Sequence, residues 1–292
     1  MCLFAQGLFI MSESYRQGCT DGGRRRDLIE QLRQGTRLLP PIRKGIDYSL
    51  NTDDSGRHRL SVIIPAQNEE TTIGRVIQEA AQLHPLEIIV IVNGSNDRTE
   101  AIACKLGAAT IVFEEQLGTD VGRAIGAYAA TGDCLLFVDG DFHMPWKELV
   151  PFAEAVLNDC DVAVNKLDHH LGMRAPWNSV TSLKVALNIT LGRGDLDNAS
   201  LVQVPFAMNK RALEVMPWHS LICPPKAYAL GLLGGLRIKP VHKVEVDRMN
   251  RYRPQKHARA GLDQSLAAMQ IIGDHFEAMY AMNGRERMEE KE

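Results

Sequence analysis

The 292-residue sequence has few cysteines and none in a chelating or bridging pattern: residues 2, 19, 104, 134, 160 and 223 form no C-x-x-C pair and no zinc-finger spacing. That absence argues against a disulfide framework and a zinc module, and predicts reduced thiols in a cytoplasmic protein. Neither charge sign dominates. A net charge of −3 with 24% charged residues excludes the usual footprint of a nucleic-acid binder or a disordered chain. No repeat and no low-complexity tract interrupts the chain. Long apolar runs are missing too: the N-terminal "MCLFAQGLFIM" is well short of the roughly 20 residues that span a bilayer. It has no basic n-region, and "SESYRQG" follows without a small-residue cleavage site, so it does not read as a secretory signal. Any membrane contact is expected to be peripheral, and Met11 is an alternative start.

What is present is a hydrophobic fraction of 45%, enough for the core of one large α/β domain or two small ones. Residues 1–59 read as an extension. It holds an amphipathic helix around "RRRDLIEQLRQGTRLL", a break at Pro40-Pro41 and a polar linker "NTDDSGRHR". The triplet Arg24-Arg25-Arg26 is either a solvated helix face or a docking point for an anionic surface, and the acids that follow favour the former.

From residue 60 the pattern alternates. "LSVIIPA", "LEIIVIVNG", "TIVFEE" and "DCLLFVDGD" are apolar, β-branched runs; "TTIGRVIQEAAQL", "DRTEAIACKLGA" and "VGRAIGAYAATG" between them have helical periodicity. Nearly continuous apolar strands separated by helices predict parallel β-α-β units with both sheet faces covered. Farther on, "ELVPFAEAVLND", "KRALEVM", "KAYALGLLGGL" and "GLDQSLAAMQIIGDHFEAMYAM" read as helices. "DVAVNK", "LVQVPFAMN" and "RIKPVHKVEV" read as strands, and the stretch around "LDHHLGMRAPWNSVTSLKVALNITLG" is variable.

Ligands of parallel sheets bind beyond the carboxyl ends of the strands. Three strand ends here are polar: "PAQNE", "NGSND" and "DGD". Residues i and i+2 of a strand point the same way, so Asp139 and Asp141 project together if strand geometry persists, and Gly140 admits a close neighbour. Two adjacent carboxylates repel unless a cation or proton intervenes. Mg²⁺ or Mn²⁺, shared with a phosphate, suits such hard oxygen donors. The alternative is that one aspartate caps the next helix and the other makes a turn.

Taken together, "SVIIPAQNEETTIGRVI", "IVIVNGSNDRTEAI" and "GRAIGAYAATGDCLLFVDGDF" resemble, in order and spacing, the family 2 glycosyltransferases of GT-A fold. The likeness is good over about residues 60–145 and looser beyond. It implies a Rossmann-like α/β fold with a mostly parallel sheet flanked by helices, an N-terminal helical extension and a C-terminal helix. It divides the chain into an extension (1–59), a nucleotide-sugar-binding and catalytic domain (60–250) and a C-terminal helical tail (251–292).

The resemblance also implies a nucleoside diphosphate sugar donor. Pro65, Ala66, Asn68 and Glu69 match a first donor loop; Asn93, Gly94, Ser95 and Asp97 match a second. Glu69 is either a ribose or base acceptor or an acid favouring a helix N-terminus. Asp97 has a structural alternative, since Asp97 and Glu100 have capping-box spacing. Arg123 is either a contact to base or diphosphate or a polar helix residue. Asp139, Gly140 and Asp141 match the D-x-D segment, with Asp139 toward ribose and metal, Asp141 the more direct metal ligand, and Asn250 a possible third.

Three positions depart from the family pattern. Asn93 stands where aspartate is usual. Pro224-Pro225 lie near the place of the acidic pair that supplies the base in many inverting members. Asp161, Asp168, Asp195, Asp197, Glu214 and Asp247 remain as base candidates, Asp168 and Asp247 foremost. "VEVDRMNRYRP" loosely resembles an R-x-H-R-N-R-P stretch of retaining glucosyl-3-phosphoglycerate synthases, with Asn250 in place of a metal-binding histidine, and leans toward retention. Lys243 to Arg259 is rich in Lys and Arg, fitting either a diphosphate-neutralising cluster or a solvated strip. His169 and His170 fall in the variable region. The expected activity is metal-dependent transfer of a sugar to an unidentified acceptor. The alternatives are a non-catalytic sugar-nucleotide-binding or scaffold protein, and a haloacid dehalogenase-type phosphotransferase, whose D-x-D follows the first strand and not the fourth.

Overall fold

Seven of the apolar runs assemble into one sheet in the computed structural model, which describes residues 30–31, 42, 45, 60–168, 171–172, 177–246, 259–260 and 264–289. The strands are β1 (Leu60–Ala66), β2 (Glu87–Asn93), β3 (Ala109–Phe113), β4 (Cys134–Phe137), β5 (Val162–Asn165), β6 (Phe206–Asn209) and β7 (Ile238–His242). Their order is β3-β2-β1-β4-β6-β5-β7. All neighbours run parallel except β6, which is antiparallel to both β4 and β5. Val62, Ile63, Ile64, Val90, Ile91 and Ile111 are buried, as strands covered on both faces require.

Helices α1 (Ile73–Ala81), α2 (Thr99–Lys105), α3 (Thr119–Ala129) and α4 (Trp146–Asn158) make the crossovers. The chain winds outward from β1 through β2 to β3, then returns across the sheet to β4 on the other side of β1. That reversal creates a crevice at the carboxyl ends of β1 and β4. Helix α3 lies close on the sheet because Gly122 and Gly126 face it. A Cβ at Gly126 would overlap Ile63, and one at Gly122 would sit 2.8 Å from Pro65 Cβ.

The second half adds α5 (Ser179–Thr190), α6 (Lys210–Val215) and α7 (Pro224–Leu233). A two-stranded ribbon, β8 (Arg259–Ala260) with β9 (Gln264–Ser265), precedes the closing helix α8 (Leu266–Glu289), which packs against α5 and α7. Helix α5 falls in the stretch read as variable; Asn178 caps it by accepting from Thr181 N at 2.8 Å. The strand expected over 201–209 is confined to Phe206–Asn209, since Pro205 offers no N–H to the ladder. All of the expected N-terminal helix except Glu30 and Gln31, which are helical, lies outside the described residues, as do Asp247, Asn250, His169, His170 and most of the basic stretch.

Among the described residues, no helix is long and apolar enough to cross a membrane. Cys104, Cys134, Cys160 and Cys223 are free thiols. Burial pushes Cys134 up to about 12 and Cys160 up to about 11, too high for either to act as a thiolate at neutral pH.

Candidate functional site

The ladder of β4 ends at Phe137, but its pairing with β1 continues. Val138 N donates to Ile63 O at 3.1 Å, and Gly140 N donates to Pro65 O at 3.3 Å. Alternate N–H groups thus face β1, and the side chains of Asp139 and Asp141 both reach one cleft, as the i, i+2 spacing predicts. The cleft, about 330 Å³ counting its open mouth, is lined by Pro65, Ala66, Gln67, Glu69, Asn93, Thr119, Asp139, Gly140 and Asp141. Gly140 is held between elements: a Cβ there would stand 3.1 Å from Pro65 O and from Ala66 Cβ. Thr72 Oγ1 donates to Gly140 O at 2.7 Å and fastens the turn to the start of α1.

The first two loops are stitched to each other. Asn68 N donates to Ser95 Oγ at 3.0 Å, and Asn96 N donates to Asn68 Oδ1 at 2.9 Å. Glu69 N donates to Thr99 Oγ1 at 2.7 Å. Asp97 accepts from Glu70 N at 3.0 Å and from Thr99 N at 2.9 Å. Burial alone would raise the Asp97 carboxyl, but these bonds, led by that from the Thr99 hydroxyl, hold it below the usual carboxylate range. Asp97 and Ser95 therefore brace the two loops and do not line the cleft. Asn93 does line it, and its amide also spans to the β3–α3 loop: Nδ2 donates to Gly118 O at 2.9 Å, and Oδ1 accepts from Leu117 N.

Arg123 differs from both readings made of it. It is neither at the cleft surface nor an ordinary polar helix residue. Only 4% exposed, it donates through Nη2 to Asp139 Oδ1 at 2.9 Å and through Nη1 to Asp120 Oδ1 at 3.0 Å. Its guanidinium carbon lies 5.8 Å from the centre of the Phe206 ring. Burial lowers the pKa of this group, but Asp139 and Asp120 outweigh it and raise the value.

Of the acids proposed as bases, those among the described residues do not line the cleft. Asp168 is half-buried and pairs with Lys166 at 3.4 Å. Asp161 is a buried staple, accepting from Arg237 N at 2.8 Å and Asn209 Nδ2 at 3.2 Å and pairing with Arg211 at 3.5 Å. Asp195 pairs with Arg193 at 2.8 Å, and Glu214 is exposed on α6. Pro224 and Pro225 are buried in the first turn of α7. Sequence reasoning passed over Gln67, Thr72, Thr119 and Asp120. Gln67 and Thr119 had a local signal, one inside "PAQNE" and the other at a helix start after Gly118.

Asp139 and Asp141 give hard oxygen donors at the mouth of the cleft, the donor chemistry that Mg²⁺ and Mn²⁺ take. Among the described residues, no group of three or more His, Cys, Asp or Glu side chains is arranged to hold a metal. A cation on this pair would therefore complete its shell with water or ligand oxygens.

A doubly wound sheet with a polar crevice at its switch point, closed by an acidic turn, is the GT-A architecture. The family model for glycosyl transferase family 2 matches residues 61–215, more than half the sequence. The chain belongs to glycosyl transferase family 2. It is 35% identical over 117 residues to glucosyl-3-phosphoglycerate synthase of Mycolicibacterium smegmatis, covering 35% of this chain and 37% of that one. To 4,4'-diaponeurosporenoate glycosyltransferase of Staphylococcus haemolyticus it is 34% identical over 92 residues, covering 29% and 24%. The matches thus span well under half the length of these curated relatives. In structure it is similar to Mycobacterium tuberculosis glucosyl-3-phosphoglycerate synthase in complex with Mn²⁺, UDP and phosphoglyceric acid. The TM-score is 0.55 at 23% identity, over 76% of this chain and 78% of that one.

Proposed function

We propose that this chain is a divalent-cation-dependent glycosyltransferase that moves a sugar from a nucleoside diphosphate sugar to an acceptor hydroxyl, acting in the cytoplasm. The observation that carries the reading is the convergence of Pro65, Ala66, Gln67, Glu69, Asn93 and Asp139–Asp141 on one crevice at the ends of β1, β2 and β4. The mycobacterial relative's complex with UDP and Mn²⁺ supports the same donor chemistry.

In this reading Asp139 and Asp141 hold Mg²⁺ or Mn²⁺, with Asn250 a possible third ligand. When bound, the cation supplies electrostatic stabilisation to the departing diphosphate. The chain's own residues do the rest. Pro65, Ala66 and Gln67 would shape the floor on which the base and ribose lie, with Asn68 holding their loop to Ser95 and Asn96, and Glu69 would accept from a ribose hydroxyl. Ser95 and Asp97 keep the two loops in register. Thr119, opening α3, sets the positive end of that helix toward the phosphates. Pro224-Pro225 leave no carboxylate at the start of α7, and Asp161 and Asp195 are held in ion pairs. Both facts favour retention of configuration over direct inversion by a protein base. Residues 60–250 would form the catalytic unit, with 1–59 and 251–292 appended to it.

The reading is tested by Asp141→Ala, assayed for Mn²⁺-dependent release of nucleoside diphosphate from the donor. Loss of at least a hundredfold in kcat is expected, and normal turnover would refute it. The engagement of the Asn93 amide within the protein favours one second reading, a sugar-nucleotide-binding protein without transfer activity. Tight donor binding with no turnover across a broad acceptor panel would support that reading instead.

A further inference from the structure

We infer that Arg123, balanced by Asp120, is the positioning residue of the cation site: it fixes the direction of Asp139 and sets the charge that a metal meets there. The inference rests on the donor and metal reading above. Three bonds carry it. Arg123 reaches Asp139 Oδ1 at 2.9 Å and Asp120 Oδ1 at 3.0 Å, and Gln270 Nε2 of α8 donates to Asp120 Oδ2 at 3.4 Å. The guanidinium Nε is buried and makes no hydrogen bond, so the polar grip of the head group falls on the two acids. The side chain is 5% exposed, against 15% for Asp120 and 22% for Asp139.

The arrangement has a directional consequence. With Oδ1 taken by Arg123, Asp139 keeps its second oxygen for a cation in the cleft, which Asp141 also lines. Asp120 cancels the charge of Arg123, so the cluster of Asp120, Arg123, Asp139 and Asp141 carries two net negative charges, matching a divalent cation. Gln270, 150 residues away in sequence, steadies Asp120 and ties α8 to the site. A pair serving only to fill the core would leave metal affinity indifferent to Asp120 and Gln270, which do not line the cleft.

Two variants test this. In Asp120→Asn the charge of Arg123 is no longer offset and falls wholly on Asp139. In Gln270→Lys, a change on the outer helix that spares the core, an added ammonium competes with Arg123 for Asp120. The measurement is the Mn²⁺ concentration giving half the thermal shift at saturating UDP, with the melting temperature of the metal-free protein as the check on folding. Asp120→Asn should need on the order of tenfold more Mn²⁺, and Gln270→Lys about two- to threefold more. A wild type that responds to Mn²⁺ while folded Gln270→Lys and Asp120→Asn match it would overturn this inference and leave the donor reading standing. A wild type that shows no Mn²⁺ response with UDP would overturn both.

Discussion

The hydroxyl of Thr72 donates to the carbonyl oxygen of Gly140 at 2.7 Å, so the residue that opens α1 grips the D-G-D turn from 68 residues away. The same hydroxyl lies 3.3 Å from Glu69 O and joins two of the cleft loops. Thr72→Val keeps the shape and removes the donor. A cost of about 1 kcal/mol is expected, a fall of roughly 2–4 °C in melting temperature, together with a raised KM for the donor. Thr72→Ser should restore both, which thermal melts and donor titrations would check.

The close approach of α3 to β1 depends on Gly126. A methyl group there meets Ile63, and Ile91 Cδ1 at 2.9 Å, in a fully buried layer. Gly126→Ala is expected to destabilise the fold by about 1–3 kcal/mol. Denaturant unfolding would show the midpoint falling with the slope unchanged.

His275 is fully buried in α8, and its Nδ1 lies 2.7 Å from Ile271 O in the preceding turn. Burial, aided by the charge of Lys184 and opposed by that carbonyl, pushes its pKa down from 6.5 to about 4. Its folded value lies below the unfolded one, so the unfolded chain takes up the proton first and stability falls as pH drops from 6.5 toward 4. The loss amounts to about 3 kcal/mol. His275→Leu should flatten the stability profile in that window.

Asp161 acts in a lower window. Burial raises its carboxyl, but the bonds from Arg237 N and Asn209 and the charges of Arg211 and Arg237 outweigh it and depress the value below 3.8. Its contribution is present above pH 3.8 and is lost as pH falls through the depressed folded value. Asp161→Asn should cost about 1–3 kcal/mol at pH 7 and reduce the acid-induced loss below pH 3.8 relative to wild type, as urea titrations at stepped pH would show.

The sheet was legible because its strands are dense in Ile and Val and end at polar residues; β1 to β4 lie where those runs predict. The joint projection of Asp139 and Asp141 followed from strand spacing, since pairing to β1 persists through Gly140. The role of Arg123 was not legible. Its partners come from α3, the turn after β4 and, through Asp120, from Gln270 in the last helix, and no local pattern announces contacts at that separation. Helix α5 was missed for a related reason. Lys184 and Asn188 are buried between elements, which blurs the polar and apolar faces that a surface helix displays. The loop-bracing role of Asp97 was within reach, because an aspartate just before a helix binds nearby backbone N–H groups whether or not a ligand follows.

The central claim is that the crevice between β1 and β4 binds a nucleoside diphosphate together with a divalent cation. The most direct measurement is a thermal-shift panel of UDP, GDP, ADP and dTDP on the wild-type chain, each with and without Mn²⁺. Ligand at about 100 times its dissociation constant adds roughly 2.7 kcal/mol. The account predicts a rise of several degrees for one nucleotide, larger with Mn²⁺ than without and abolished in Asp141→Ala. No shift with any nucleotide, or a shift indifferent to both Mn²⁺ and Asp141, would contradict it.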